Sequence, residues 1–454
     1  MRQGWSIAAV ALLCTTTPLA AQDRAQQWRW CEDSDPDLSI GGCTALIQAG
    51  QESTRNLAKA FSNRGIARSD RGEKDLAIAD FTQSIKVDPT YFYALSLRGT
   101  AYGQREEFDK ALEDHGRAVE LSPGNDTSFR MRAITYLAKE EYQPALDDLT
   151  KALSIAPTNG DNFFFRAQAY YALDQYDKAI EDNSAAIALK GDSLPGSYYN
   201  RGLAYFMSKR PEARADLTHY MALKPNDPDG FLMRGRSYLQ GTQYDSSTAD
   251  LTRTLELDST QQMARYYRGR AYRGLGKRDE ALADFSEFLR RDPDDLDGLS
   301  QRASLYLDRR EFPQAIGDYT RYVGLDSANA NMWALLCLSR IGAGQHARGE
   351  ADCNKALEVK PDSNDDALDN RGMARLRLGR LLDARADFNA ALVINPKDSY
   401  SMFGRGIVKQ LQGDAVGGQE DLDAAAKMYS GVAAFMARYG IVPKKPVVSP
   451  KGAP

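Results

Sequence analysis

The sequence predicts an all-α fold in which helical hairpins stack along the chain, and two regularities carry this prediction. Aspartates recur at a fixed spacing along the chain. Most of them stand sixteen residues after an Arg-Gly or Arg-Ala pair, and a proline often stands nine residues after the aspartate. A fixed period of this length indicates supersecondary units that bury their apolar faces against their neighbours. The period is 34 residues, with one gap of 35, and its markers are Asp80, Asp114, Asp148, Asp182, Asp216, Asp250, Asp284, Asp318, Asp352, Asp387 and Asp421.

The amino terminus has the features of an export signal. Arg2 gives a positive start, and the apolar run from Ile7 to Cys14 is too short to span a bilayer. Leu19-Ala20-Ala21 fits a signal-peptidase site. We therefore predict that residues 1–21 are a signal peptide and that the mature chain is exported.

Four cysteines remain after the signal is removed, and they fall into two local pairs. In an exported chain an even number favours disulfides, Cys31 with Cys43 and Cys337 with Cys353. The alternative is that they are free thiols that act as small core residues. We interpret residues 22–54 as an amino-terminal cap that the first pair fastens.

Residues 55–430 are predicted to form eleven hairpins. The small residue of the Arg-Gly pair on the first helix and a recurring alanine on the second helix allow two antiparallel helices to pack closely, as with Gly99 and Ala111. Proline, for example Pro123, ends the second helix because it lacks the N–H group and clashes with the preceding turn.

The second unit carries Leu95, Arg98-Gly99, Tyr102, Ala111, Ala118 and Pro123, and this pattern resembles the tetratricopeptide repeat. Arginine replaces the usual leucine before the glycine. The resemblance implies a right-handed superhelical solenoid with a concave groove along the first helices. The early cysteine pair, the repeats and the closing segment 437–440 together resemble exported repeat proteins of Gram-negative alphaproteobacteria, which implies a periplasmic location.

The repeated acidic residues are interpreted as structural, since catalysis needs one carboxylate pair and not eleven copies. All of them except Asp352, which has Leu336 at that place, have an arginine about sixteen residues upstream, and most have another about eighteen residues downstream, so the sequence leaves the partner open. The predicted Arg–Asp ladder includes Arg98, Asp114, Arg132, Asp148, Arg166, Asp182, Arg234, Asp250, Arg268 and Asp284.

A stripe of aromatic, apolar and basic residues on the first helices of units four to seven is the candidate binding surface. Its residues are Phe164, Tyr171, Tyr199, Phe206, Leu232, Tyr266, Arg270 and Arg273. Residues at i, i+4 and i+7 share one helix face, and such a surface suits an extended peptide or a partner helix. The alternative is that these side chains pack between adjacent helices as core.

The carboxyl terminus is predicted to close the stack. Apolar residues recur with helical spacing in residues 431–441, which we interpret as a capping helix, because a terminal repeat needs a cover. Residues 442–454 are rich in proline and lysine, and we predict them to be disordered.

Composition argues against several classes of function. The net charge of −4 gives no overall electrostatic attraction for nucleic acid or an anionic membrane. His115, His219 and His346 lack metal-ligand spacing, and no phosphate-binding or nucleophile motif occurs, so we predict no enzyme and no cofactor. The sequence predicts a periplasmic scaffold that holds a protein or peptide partner, or alternatively an envelope-assembly organiser with several contact surfaces; the oligomeric state is left open.

Overall fold

The computed structural model describes residues 19–443, with side chains from residue 23 onward. Within this range all regular secondary structure is helical, so the predicted all-α fold is confirmed. Most of the predicted signal peptide, residues 1–18, lies outside the described residues, as does the greater part of the predicted disordered tail, residues 444–454.

The chain divides into two compact units at Pro225 and Asn226. The helices of the amino-terminal unit are α1 (Leu19–Cys31), α2 (Pro36–Ala49), α3 (Thr54–Asp70), α4 (Lys74–Val87), α5 (Phe92–Gly103), α6 (Phe108–Leu121), α7 (Asp126–Ala138), α8 (Tyr142–Ile155), α9 (Gly160–Ala172), α10 (Tyr176–Lys190), α11 (Pro195–Met207) and α12 (Ala213–Leu223), with a short 3-10 turn at Gly191–Ser193.

The carboxyl-terminal unit continues the same alternation of helices. It contains α13 (Pro228–Gln240), α14 (Tyr244–Leu257), α15 (Gln262–Gly274), α16 (Arg278–Arg291), α17 (Leu296–Asp308), α18 (Phe312–Leu325), α19 (Ala330–Gly342), α20 (His346–Val359), α21 (Asp365–Arg377), α22 (Leu381–Ile394), α23 (Ser399–Leu411), α24 (Ala415–Met428) and α25 (Val432–Arg438). From α3 to α24, each odd-numbered helix is the first helix of a hairpin and the following even-numbered helix is the second.

The small residue of each first helix lies where the two helices of a hairpin cross. A Cβ atom added to Gly269 would come within 3.0 Å of the Phe285 ring, and one added to Gly372 would come within 2.8 Å of the Phe388 ring. Any larger side chain would overpack this crossing. The second helix thus supplies a bulky side chain that fills the space left by the glycine.

The turn between the two helices also repeats with the period of the aspartates. In every hairpin from α3–α4 to α23–α24 one turn residue adopts a positive φ, in the left-handed region. Glycine fills five of these places and another residue type fills six, although non-glycine residues rarely adopt this conformation. The six are Glu106, Glu140, Asp174, Lys209, Thr242 and Arg310, and the glycines are Gly72, Gly276, Gly344, Gly379 and Gly413.

The segment predicted as an amino-terminal cap contains a complete hairpin. Asp35 caps α2 by accepting hydrogen bonds from the N–H groups of Asp37 and Leu38. Cys31, at the end of α1, is joined to Cys43 in the middle of α2 by a disulfide with a Cα–Cα distance of 4.5 Å. The sequence predicted this segment only as a cap, whereas the structure has two helices here.

Candidate functional site

Each aspartate of the 34-residue period is held by an arginine of its own hairpin. Arg98 Nε and Nη2 donate to the two carboxylate oxygens of Asp114 at 2.7 and 2.8 Å, and Arg268 makes the same two-pronged contact with Asp284 at 2.8 and 2.8 Å. The other pairs of this kind are Arg64–Asp80, Arg132–Asp148, Arg166–Asp182, Arg201–Asp216, Arg234–Asp250, Arg302–Asp318, Arg371–Asp387 and Arg405–Asp421. In the structure the partner is therefore the upstream arginine.

Several of these arginines also reach the preceding hairpin. Arg98 Nη1 donates to Thr82 Oγ1 at 3.2 Å, and Arg371 Nη1 donates to Asn354 Oδ1 at 2.9 Å, in each case on the second helix of the hairpin before. The hydrogen bonds to Asp114 raise the pKa of Arg98 above its usual value. These half-buried ion pairs are structural, since every carboxylate oxygen in them is already engaged by a cation.

A second cation contacts the aspartate in three of the four hairpins that lack the recurring tyrosine. Arg68, Arg375 and Lys409 occupy the tyrosine position and lie 2.8, 2.7 and 2.9 Å from the carboxylates of Asp80, Asp387 and Asp421. Elsewhere the arginine of the pair stands over the tyrosine ring, at 5.7 Å for Arg268 over Tyr272 and at similar distances in five other hairpins.

The ninth hairpin, α19–α20, departs from this arrangement. Leu336 replaces the upstream arginine, and Arg340 at the tyrosine position is left to hold Asp352, with Nη1 at 3.3 Å from Oδ1 and 3.1 Å from Oδ2. Burial raises the pKa of Asp352 to about 6, which Arg340 opposes. A single, longer contact offsets the cost of burying the carboxylate less than a bidentate arginine pair does.

A disulfide occupies the helix crossing of this same hairpin. Cys337 takes the place of the small residue and Cys353 that of the bulky one, and the bridge between them has a Cα–Cα distance of 5.4 Å. Both cysteines are fully buried. The crossing that glycine and an aromatic ring fill in α21–α22 is therefore closed covalently in α19–α20.

Half of the predicted binding stripe lies in the amino-terminal unit and is partly open to solvent. Phe164 and Tyr171 on α9, and Tyr199 and Phe206 on α11, are all half-buried. The Phe164 ring rests on the start of α11, since a Cβ atom added to Gly196 would meet it at 3.1 Å. We call these four aromatic side chains the open surface.

The other half of the stripe, in the carboxyl-terminal unit, requires a correction. Leu232 and Tyr266 are buried, at 9% and 7% exposure, so they belong to the core and not to a binding surface. Tyr266 packs on Phe288 with ring centroids 5.4 Å apart. Aromatic and aliphatic residues at helical spacing can face a neighbouring helix as readily as a ligand, and spacing does not separate the two.

The two arginines of the stripe are exposed. Arg273 Nη1 donates to Gln301 Oε1 at 2.8 Å on the first helix of the next hairpin, and the Arg270 guanidinium lies 5.7 Å from the Tyr266 ring. Their charges therefore face solvent next to a buried tyrosine.

A second first-helix surface, which the sequence did not predict as a site, is covered by the chain itself. It comprises Leu338 and Ile341 on α19, Met373 and Leu376 on α21, and Phe403 and Ile407 on α23, and none is more than 9% exposed. Five of the six stand one or four residues after the small residue of their helix. The residues at those two places are half-buried on α9 and α11 and exposed on α15. We call these six residues the covered surface.

The cover is the segment predicted as a capping helix. Val432 and Met436 of α25 are fully buried, and Tyr439 and Ile441 nearly so, in one apolar cluster with the covered surface. The Tyr439 ring reaches Phe312 at the start of α18, with centroids 6.2 Å apart. Burial raises the pKa of Tyr439 to about 12. The segment thus extends along several preceding hairpins besides closing the last one.

A glycine turn ends this segment and provides its polar contact. Gly440 has a φ of 72°, and its N–H donates to the Ala437 carbonyl while the Ile441 N–H donates to the Met436 carbonyl, both at 3.1 Å. These two bonds form the Schellman motif that often terminates helices. The Gly440 carbonyl accepts a 2.7 Å hydrogen bond from Arg377 Nη1 on α21.

The described helices carry neither a metal-binding cluster nor a membrane span. Among residues 19–443, no three His, Cys, Asp or Glu side chains are grouped so that they could hold a metal ion. None of the helices described here is both long and apolar enough to cross a membrane.

The repeated hairpins and their small-residue crossings define a helical-repeat protein, a class that generally acts as a non-enzymatic binding scaffold. The family model for the tetratricopeptide repeat matches residues 63–126, 232–296, 268–330 and 336–401, which together cover just over half of the chain. The chain belongs to the tetratricopeptide-repeat family.

Several solved structures are similar to parts of the chain. PilF of Pseudomonas aeruginosa is 18% identical, with a TM-score of 0.43, over 47% of this chain and 97% of its own. A tetratricopeptide-repeat protein of Parabacteroides merdae is 16% identical, with a TM-score of 0.44, over 55% and 98%. Yeast Tom70 is 14% identical, with a TM-score of 0.34, over 86% and 96%. A search of curated protein sequences finds no match.

Proposed function

We propose that the protein is a periplasmic scaffold that holds a protein or peptide partner on its open surface. The observation that carries this proposal is the partial exposure of four aromatic side chains, Phe164 and Tyr171 on α9 with Tyr199 and Phe206 on α11. Aromatic rings supply a large contact area at low entropic cost and are enriched among residues that dominate binding energy.

The residues beside these rings support the same proposal. Gln168 and Leu203 lie beside these rings on α9 and α11 and are also half-buried, so one helix face offers both apolar area and a polar group. A surface of this kind suits a partner helix or an extended peptide with a few apolar anchors. The periplasmic location rests on the signal-like amino terminus and on the two cysteine pairs.

The test replaces two rings of the open surface. We expect Tyr199→Ser combined with Phe206→Ser to weaken partner binding by roughly tenfold or more, because truncating one anchor residue of an interface often costs about 2 kcal/mol. The measurement is affinity capture from a periplasmic extract, followed by titration of the captured partner. The matched control is Leu189→Ser on α10 of the same unit, a residue that is 44% exposed and lies outside the open surface.

Two outcomes would contradict the proposal. If the double variant unfolds at a much lower temperature than the control, the rings are core residues. If it remains folded and keeps its partner, the partner binds elsewhere on the chain.

A second candidate function, an envelope-assembly organiser with several contact surfaces, is favoured by exposed apolar residues on second helices. Leu382 and Val393 on α22 are 77% and 82% exposed, and Val416 on α24 is 74% exposed. The first two lie on one face of their helix, being eleven residues apart. Capture of many partners that is insensitive to the open-surface variant would favour this alternative.

A further inference from the structure

The covered surface has the properties of a binding site whose ligand is already in place. Its six side chains come from three successive first helices, and five of them occupy positions that are half-buried on α9 and α11 and exposed on α15. The hairpins α9–α10 and α11–α12 keep their helix crossings and their ion pairs with the equivalent residues half-buried. A cover on this face is therefore not needed for a hairpin to hold together.

The covering segment resembles a docked ligand more than a further repeat. Helix α25 has seven residues, and a helix of this length has little stability of its own in water. One face, formed by Val432, Met436 and Tyr439 at i, i+4 and i+7, is buried, while Ala433, Ala434 and Ala437 on the other side are exposed. This spacing is the recognition pattern of a helix that binds in an apolar groove.

Contacts along residues 432–441 indicate the length of the ligand. Val432, the first residue of α25, is fully buried, and in the middle of the helix the Phe435 ring packs on Tyr400 of α23, with centroids 4.5 Å apart. At the carboxyl end, Tyr439 reaches Phe312 and the Gly440 carbonyl accepts the hydrogen bond from Arg377. The groove therefore accommodates about two helical turns and then recognises a backbone carbonyl at a glycine turn.

From these contacts we infer that the covered surface is a docking site for a short apolar helix of a partner protein, and that residues 432–441 are a resident ligand which the partner replaces. The partner helix carries bulky apolar side chains at i, i+4 and i+7 and ends in a left-handed glycine, as the resident segment does. The site lies in the carboxyl-terminal unit, so it is separate from the open surface and the inference does not depend on the proposed function.

The experiment uses the full-length chain and a fluorescent synthetic peptide of residues 429–443. In the wild type the resident segment competes, and the peptide binds weakly. Met436→Glu places a charge at a fully buried apolar position and should release the resident segment, because a buried unpaired charge is costly. We expect fluorescence anisotropy to show the peptide binding this variant at least tenfold more tightly than the wild type.

Two controls distinguish specific binding of the peptide in the groove from non-specific binding. The same peptide with the Met436→Glu change should bind neither protein. A second protein variant, Gly440→Ala, removes the residue with positive φ and brings a Cβ atom within 2.6 Å of Arg377 Nη1, so it loosens the segment without adding a charge. It should increase peptide binding as well, by a smaller factor.

Hydrogen exchange on the same proteins decides between a ligand and a core element. We expect the amides of residues 435–441 to lose protection in Met436→Glu while those of α19, α21 and α23 keep it. The inference is overturned if these helices lose protection together with the segment. It is also overturned if the segment is released and neither variant binds the peptide more tightly than the wild type. Finally, a concentration-dependent wild-type dimer that Met436→Glu abolishes would show that a second copy supplies the helix, and would overturn the assignment to a separate partner.

Discussion

At the residue scale, the hairpins differ mainly in how the crossing of their two helices is filled. Most second helices supply an apolar side chain, such as Phe81 or Phe285, whereas α6 supplies His115, which is 1% exposed. His115 is therefore a core residue. Its ring packs against Gly99, and Nδ1 is buried without a hydrogen-bond partner.

Burial makes this histidine sensitive to pH. Burial lowers the pKa of His115 to about 4 from an ordinary value of 6.5. The folded state therefore binds fewer protons than the unfolded state between these values, and stability present above pH 6.5 is lost as the pH falls towards 4. We expect His115→Phe to remove this loss, so that its advantage over the wild type in free energy of unfolding grows by on the order of 2 kcal/mol from pH 7 to pH 4.

Urea unfolding at a series of pH values measures this difference. Phenylalanine fills the same place in α4, α16 and α22, so the variant has a precedent within the chain. If the curves of variant and wild type run parallel from pH 7 to pH 4, the imidazole has the same pKa in the folded and the unfolded state and the explanation fails.

At the scale of elements, the sequence predicted the hairpins well because their constraints are local and repeated. A small residue must lie at each crossing, and in most units a proline follows the second helix, so the pattern recurs along the sequence. The arginine partner of each aspartate could not be predicted, since an upstream and a downstream arginine fit the period equally. Geometry selects the upstream one, as in Arg98–Asp114, because both residues then lie on facing helices of one hairpin.

The binding surface was predicted only in part, for a different physical reason. Tyr199 and Tyr266 stand at the same place in their helices, yet Tyr199 is half-buried and Tyr266 is buried against Phe288. Tyr199 also packs on an aromatic ring, Tyr220, with centroids 5.0 Å apart, so the residue types at equivalent positions do not determine how completely each ring is covered. The covered surface was missed because its cover, residues 432–441, comes from another part of the chain.

The hairpin turns offer a test of backbone strain. Thr242 has a φ of 58°, in a region that β-branched residues rarely adopt, while Gly276 holds the equivalent place in the next hairpin. We expect Thr242→Gly to stabilise the protein by up to about 1 kcal/mol, because relief of this strain exceeds the entropy that glycine adds to the unfolded chain.

The reverse change is the matched control for this prediction. Gly276→Thr should destabilise the carboxyl-terminal unit by about 1 to 2 kcal/mol, and chemical denaturation of both variants provides the comparison. Equal effects of the same sign in the two variants would show that the turns tolerate either residue and that strain is not the cause.

At the scale of the whole molecule, the two cysteine pairs connect structure with location. Each pair joins the two helices of one hairpin, Cys31 with Cys43 and Cys337 with Cys353, and both bridges are buried. Such disulfides persist in oxidising compartments and are rare in the cytosol. We therefore predict export and disulfide formation together.

We expect the chain expressed in a Gram-negative host to be recovered from the periplasm with Gln22 as its first residue and with no reactive thiol. Intact mass after alkylation under denaturing conditions should show no added label, and four labels should appear once a reductant is used. Chain made without residues 1–21 in a reducing cytosol is the control. Retention of residues 1–21, or labelling before reduction, would contradict the prediction.

Each ion pair joins two residues of the same hairpin, and this has a consequence for how repeats are gained or lost in evolution. A duplicated segment of 34 residues carries both the arginine and its aspartate, and it also carries the polar side chain, such as Thr82, that the next arginine contacts. Gain or loss of one whole repeat therefore leaves no buried carboxylate without a cation and calls for no compensating substitution. Repeat number is thus free to change by internal gene duplication, whereas the closing segment 432–441 must keep its match to the last three first helices.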